Sequence, residues 1–354
     1  MAGKLRVGMV GVGGMRIADY HAREFAGDER AEIVACCDIQ PEATEAFAER
    51  HGIPAQYADY ATMLAEAGLD IVVICTNETL HAEMTVQAAT HRPRAILCEK
   101  PMAMSLAEAD AMLEACGQND VLLVIAHQRR YVPQYARAKE VLQAGAIGEL
   151  EHLHVAAHPG CSLLPDGTHC VDLIRFYVDD APAEWLLGQI EARTHREHWG
   201  HVLEDAALAL IKFATGVRAW LTQGSLLTPA QEPLGTPMFP YDQYVRITLH
   251  GPRGRIEIDG DHAVEDRPLL RVVRGDELEV VPLDHGRWHR GLSPQVDLLN
   301  ALEDGHRHQL DGESARADLE LLMAVYESSR LRRLITFPLE KGENPFYQML
   351  GEEA

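Results

Sequence analysis

The chain is short of positive charge. Its 354 residues carry 32 lysines and arginines against 54 aspartates and glutamates, a formal net charge of −22. A surface this acidic disfavours direct nucleic-acid binding, which needs a basic footprint, and adhesion to anionic membranes. No run of about 18 apolar residues occurs, the length a spanning helix requires, and no separate apolar targeting core precedes the first strand-like segment. Cysteines number seven, an odd count without a CxxC pair. Cys36, Cys37, Cys75 and Cys98 sit in apolar runs, where free thiols behave as small hydrophobes, so a reduced cytoplasm is the expected location. Histidines number 18. Neither His152, His154 and His158 with Cys161, His169 and Cys170, nor His195, His198 and His201, has a familiar zinc spacing, so no metal is expected. No internal repeat or low-complexity run stands out.

What is present reads as an ordinary globular composition, 47% hydrophobic and 24% charged. The length exceeds what a single core usually serves, and the pattern changes near His127, giving two expected domains, 1–126 and 127–354. The first alternates strands and helices. Leu5–Val10 runs into Gly11-Val12-Gly13-Gly14-Met15-Arg16, and a helical pattern follows. Strand, glycine turn and helix are the context of a dinucleotide-binding turn. Gly11 permits the tight turn, and Gly13 lets the backbone approach a pyrophosphate seated on the helix N-terminus. The third glycine of the pattern is replaced by Arg16, whose guanidinium can itself pair with phosphate. The next strand ends in Asp38, about twenty residues beyond the turn, where a carboxylate accepts from the adenosine ribose hydroxyls and repels a 2′-phosphate. NAD is therefore expected rather than NADP.

Further βα units follow. Strand 70–75 ends in Thr76-Asn77 with His81 close behind. The apolar run Ala95–Cys98 ends in Glu99-Lys100-Pro101, and a helix starts at Ser105 with Glu108 placed as in a capping box. Lys100 thus stands just past the carboxyl end of a strand, the edge at which open α/β sheets bind ligands. The alternation predicts a parallel, doubly wound sheet. From His127 onward, helices over 134–143 and 167–178 are followed by a succession of strands between 184 and 283, a loop over 225–242 and helices over 294–304 and 313–330. The second half therefore reads as α+β with a largely antiparallel sheet. The tail 340–354 is expected to wrap a neighbouring subunit or to be mobile.

These residues together carry a pattern. The glycine turn, Asp38, Thr76-Asn77 with His81, Glu99-Lys100-Pro101, His127-Gln128-Arg129-Arg130 with Pro133, Gly145–Glu149, Asp205 with Gly216, and Gly251–Gly254 resemble the Gfo/Idh/MocA oxidoreductases. The resemblance spans almost the whole chain. It implies a Rossmann domain followed by an α+β domain whose large open sheet packs into dimers or tetramers, with a sugar or polyol bound between the cofactor domain and that sheet. It implies cofactor contacts at residues 11–16, Asp38, Thr76, Asn77, His81, Glu99, Lys100 and Gln128.

In Pro165-Asp166-Gly167-Thr168-His169, the resemblance aligns His169 with the catalytic acid/base of polyol dehydrogenases. Imidazole titrates near neutrality and suits that role, and Lys100 would stabilise a developing alkoxide. The family's usual aspartate falls on Pro165. Asp166 is then either a displaced catalytic partner or a turn or capping residue before Gly167. Asp172 is expected to orient His169 or to bind substrate hydroxyls, unless it is a helix-surface charge; His158 is expected to edge the substrate pocket. The implied activity is an NAD(H)-dependent dehydrogenase acting on a sugar, cyclic polyol or derivative. Redox-assisted glycoside cleavage or epimerisation, and a dinucleotide-binding sensor, are the alternatives.

Overall fold

The computed structural model describes residues 3–351 except Met15, 158–160, His195, Trp199, 225–244, 262–267 and 340–341. The loop expected over 225–242 lies outside the described residues. By compactness the chain divides into two units: Met1–Gln128 with Leu292–Ala317, and Arg129–Gly291 with Asp318–Ala354.

The first unit begins with β1 (Leu5–Val10), α1 (Arg16–Ala26), β2 (Ala31–Cys37), α2 (Pro41–His51), β3 (Ala55–Tyr57) and α3 (Tyr60–Glu66). It continues with β4 (Ile71–Ile74), α4 (His81–Thr90), β5 (Ala95–Cys98), α5 (Leu106–Gln118) and β6 (Leu122–Ile125). The strands pair in parallel in the order β3-β2-β1-β4-β5-β6, the doubly wound arrangement expected. Every residue of β4 and β5 is buried, which explains why both read as unbroken apolar runs. Ser105 caps α5 by accepting from the Glu108 N–H at 3.3 Å, while the Glu108 carboxylate accepts from Met104 N–H at 2.8 Å. The expected capping box is thus closed one residue further out.

In the second unit come α6 (Pro133–Gln143), β7 (His152–Ala157), α7 (Thr168–Tyr177), β8 (Ala183–Glu191), a small hairpin of β9 (Arg196–His198) and β10 (His201–Leu203), β11 (Ala206–Phe213) and β12 (Arg218–Gly224). Then follow β13 (Val245–Gly251), β14 (Gly254–Asp259), β15 (Leu270–Arg274) and β16 (Glu277–Val280). The chain closes with α8 (Pro294–Asp304), α9 (Gly312–Leu331), β17 (Ile335–Thr336) and α10 (Pro345–Leu350). Nine of these strands form one sheet in the order β16-β15-β14-β13-β7-β12-β11-β8-β17. It is antiparallel apart from β7 and β12, which run parallel. Burial alternates strictly along β7 and β12, as in a sheet with one covered and one open face. Gly188 lets α9 approach that covered face: a Cβ there would come within 3.0 Å of the Val325 backbone.

Two features depart from the expectations. Residues 292–317 cluster with the first unit rather than the second. The cause is local: Leu298 and Leu299 of α8 are fully buried, Arg30 donates to Asn300 at 2.8 Å, and the Ile125 N–H donates to Leu310 O at 3.0 Å beside β6. Of the tail expected to wrap a neighbour or to be mobile, residues 342–351 are described and fold back on their own chain. Asn344 caps α10 by accepting from Phe346 N–H at 3.0 Å, and the buried Phe346 ring stacks on Tyr326 with centroids 5.1 Å apart. An apolar anchor and a cap fix this stretch onto α9.

Candidate active site

In the first unit the expected residues gather along the carboxyl edge of the parallel sheet: the glycine turn after β1, Asp38 after β2, Thr76 and Asn77 after β4, Glu99 and Lys100 after β5, and Gln128 after β6. Gly11 has φ +78°, and a Cβ there would lie 2.7 Å from the backbone at Cys75 and Thr76, so only glycine fits. A Cβ at Gly13 would lie 2.7 Å from Ala43 Cβ and 3.0 Å from Asp38 Oδ2. Gly14 faces open space, and Val12 is buried under the turn. Met15 and the Arg16 side chain lie outside the described residues. The buried Asp38 carboxylate accepts from Gly13 N–H at 2.7 Å and from Gln40 N–H at 3.0 Å. The second strand end is thereby tied to the glycine turn, and each oxygen retains a further lone pair.

Lys100 is positioned by a buried relay. The Tyr20 hydroxyl donates to Gln295 Oε1 at 3.1 Å, and Gln295 Nε2 donates to His21 Nδ1 at 2.6 Å. An amide nitrogen can only donate, so Nδ1 is the acceptor and the ring proton sits on Nε2. That N–H donates to Glu99 Oε1 at 2.8 Å, and the Lys100 backbone N–H donates to Oε2 at 3.2 Å. Burial works against the Glu99 charge, but the His21 hydrogen bond and neighbouring Lys100 outweigh it and hold the carboxyl below its usual range. Glu99, read from the sequence as a cofactor contact, is 4% exposed and turns each carboxylate oxygen to a partner within the protein. His81 is similar. Its Nδ1 faces Pro101 O at 2.7 Å and its Nε2 faces Thr76 O at 3.2 Å. Burial lowers its pKa against the pull of the two carbonyls; a neutral ring can donate to only one of them, so the ring lies between the β4 end and the turn after Lys100 with one of the two bonds made at a time. Asn77 caps the short helical turn 78–80 through Thr79 N–H at 3.1 Å. Thr76 Oγ1 donates to Met84 Sδ at 3.4 Å. Gln128 Oε1 is buried without a hydrogen-bond partner among the described residues.

In the second unit, Asp166 lies in a wide turn, Leu163–Gly167, that leads directly into α7. Asp166 N–H and Gly167 N–H both donate to Ser162 O, at 3.0 and 2.9 Å, and the Asp166 carboxylate accepts from Ser162 N–H at 3.1 Å. It therefore helps to close its own turn. His169, in the first turn of α7, is buried. Asp172 is not a helix-surface charge. It is 1% exposed and accepts from Arg130 Nε at 2.7 Å, while Arg130 also grips Asp180 through two bonds of 2.8 Å. Its Oδ1 is held in a buried ion pair with Arg130. His158 lies outside the described residues.

One residue the sequence reading missed supports this turn. Glu204, 1% exposed, accepts from Leu163 N–H and from the Tyr326 hydroxyl at 2.9 Å. Burial outweighs these bonds and keeps the Glu204 carboxyl above its usual range. Its partners lie 41 and 122 residues away along the chain, and no local pattern announces such contacts. His21 and Gln295 were missed for the same reason.

A doubly wound sheet whose carboxyl edge carries a glycine turn tied to an acidic strand end is the setting of a dinucleotide-binding site. Residues 5–127 match the model of the oxidoreductase family with an NAD-binding Rossmann fold, GFO_IDH_MocA. The chain is 26% identical over 347 residues to a D-apiose dehydrogenase of Rhizobium rhizogenes, covering 94% of this chain and 97% of that one. It is 25% identical over 348 residues to an inositol 2-dehydrogenase of Rhizobium meliloti, covering 94% and 99%. In fold it is similar to an oxidoreductase from Agrobacterium radiobacter crystallised with NAD+, L-tartaric acid and magnesium, with a TM-score of 0.78, 23% identity and 94% and 98% of the two chains covered. The site fits NAD: Gly14 leaves open space at the turn, the Asp38 oxygens keep lone pairs beside it, and Gln128 Oε1 has no hydrogen-bond partner among the described residues.

Proposed function

We propose that this chain is an NAD(H)-dependent dehydrogenase that oxidises a secondary hydroxyl of a sugar, cyclic polyol or sugar derivative. The observation that carries the reading is Lys100, fixed at the carboxyl edge of the parallel sheet by the Glu99–His21–Gln295 relay. The names of the dehydrogenase relatives support the substrate class. In this reading Asp38 holds the adenosine ribose and disfavours a 2′-phosphate, and the glycine turn admits the pyrophosphate. When bound, the nicotinamide supplies the hydride acceptor. Lys100 hydrogen-bonds the reacting hydroxyl and stabilises the alkoxide that develops, while His169 takes the hydroxyl proton.

The open face of the nine-stranded sheet receives a second copy in this reading, giving a homodimer or homotetramer. The seven cysteines, all free and buried, fit a reducing cytoplasm. No helix among the described residues is long and apolar enough to cross a membrane. The test is net NADH formation when NAD+ is supplied with inositols, aldoses and their acids. Product without net NADH would replace this reading with redox-neutral chemistry, and binding without product would replace it with a sensor.

A further inference from the structure

Beneath the turn that carries Asp166, the sheet presents a buried amide with no hydrogen-bond partner among the described residues. Gln223 lies near the carboxyl end of β12, where β12 runs parallel to β7 with Thr222 opposite Ala156. It points to the covered face and is 2% exposed. Neither its amide oxygen nor its amide nitrogen has a hydrogen-bond partner among the described residues. The amide is aimed at the wide turn: a Cβ at Gly167 would collide with the amide oxygen and lie 3.2 Å from the nitrogen. Gly167 has an ordinary right-handed backbone, φ −65°. The lack of a side chain there serves room rather than conformation, and the end of the Gln223 side chain fills that room. Two residues further on stands His169.

A buried donor and acceptor left unpaired are costly, and in a native structure they call for an explanation. A primary amide offers N–H donors and a carbonyl acceptor side by side. An apolar ligand would satisfy neither. A carboxylate or phosphate would satisfy the N–H but repel the amide oxygen. A pair of hydroxyls on adjacent carbons satisfies both, one accepting and one donating. We infer that Gln223 is a specificity-determining residue that reads two neighbouring hydroxyls of the substrate. This rests on the sugar or polyol reading above and adds to it the feature recognised. Because the amide is closed off from water, the hydroxyls reach it as the Leu163–Gly167 turn gives way. That turn is a single wide one rather than regular helix, the kind of distortion that accompanies functional sites.

The test compares the wild type with Gln223→Leu and the near-isosteric Gln223→Met. The probes are myo-inositol, D-glucose, D-xylose and monodeoxy analogues of each. Three results are expected together. The variants melt no lower than the wild type, because a buried unpaired amide has gone. Their kcat/KM for the oxidised diol falls roughly 10–100-fold, with KM for NAD+ unchanged. Their preference for the diol over the analogue lacking one of the two hydroxyls collapses. Undiminished preference in the variants overturns the inference, and so does failure of both variants to fold, which would make the amide part of the framework. Should the wild type form no NADH from any probe, the dehydrogenase reading fails by itself. Gln223 is then judged by melting temperature: a polyol-induced rise present in the wild type and absent from the variants sustains the inference. No rise, or an equal rise in both, ends it.

Discussion

At the scale of single residues, two side chains expected to act on substrate are held quite differently. Lys100 follows a strand end whose carboxylate accepts from His21 and from the Lys100 backbone, so its main chain is fixed while its side chain remains partly exposed. If the ammonium acts on the developing alkoxide, Lys100→Met lowers kcat by roughly 10²–10³-fold and leaves the melting temperature close to that of the wild type. Steady-state kinetics beside a thermal melt check this, and native turnover would return Lys100 to a structural role. Asp166 instead spends an oxygen on Ser162 N–H within its own turn. An asparagine oxygen accepts the same bond, so Asp166→Asn is expected to keep turnover within a few-fold and the pH midpoint in place. A lowered midpoint would show that this carboxylate reaches His169 and favours its protonated form.

At the scale of elements, much was legible and the remainder was not, for identifiable reasons. Buried strands such as β4 and β5 announce themselves as apolar runs, and the strand-end positions of Gly11, Asp38 and Lys100 follow from them. β3 has only three residues, too few for a period to show, and the β9–β10 hairpin is equally short. The site's supports come from remote sequence: Gln295 reaches His21 across 274 residues. Breaking that link with Gln295→Leu frees the imidazole to take either tautomer. The expected result is a fall in kcat of roughly 10–100-fold through misplacement of Lys100, with the protein still folded; unchanged kcat would make the relay purely structural. A second network joins α7 to α9. Arg130 and Arg175 face Asp172, Asp180 and Asp318, with bonds of 2.7 Å from Arg130 to Asp172 and 2.9 Å from Arg175 to Asp318. Two arginines meet three carboxyl groups. Burial, with the neighbouring carboxylates adding to it, outweighs the arginines and holds Asp172 and Asp318 above the usual aspartate range. An acid with a raised folded pKa contributes stability that is complete below its unfolded value and is lost as pH rises through the folded one. Asp318→Asn removes the surplus charge, so its melting temperature should improve relative to the wild type as pH is raised from the ordinary aspartate range. A gap between the two that does not change with pH would contradict this assignment.

At the scale of the whole molecule, the open sheet face in the second unit asks for a partner. Register places Leu187 opposite Leu210, Leu210 opposite Trp220, and Trp220 opposite His154, so these four share one row and one face. Leu187 and Trp220 remain 47% and 39% exposed. Beyond them the His152 ring meets Trp220 edge-on at 5.4 Å and stacks on His250 at 4.4 Å. A row of this kind, apolar at one end and charged at Glu257 and Arg271 at the other, suits a self-complementary interface in which aromatic anchors dominate. Against association stands a net charge of −22 on every copy, a repulsion that salt screens over about 10 Å at 0.1 M. Two effects then compete, and they separate experimentally. Sedimentation of the wild type should show an oligomer that weakens as ionic strength falls. Trp220→Glu places a further negative charge in the apolar row and should yield monomer at salt concentrations where the wild type stays associated. The substitution lies on the face opposite to Gln223 and the turn before α7, so the variant's melting curve should show a folded chain. An oligomer undisturbed by Trp220→Glu would place the subunit contact on another surface and leave this row simply exposed.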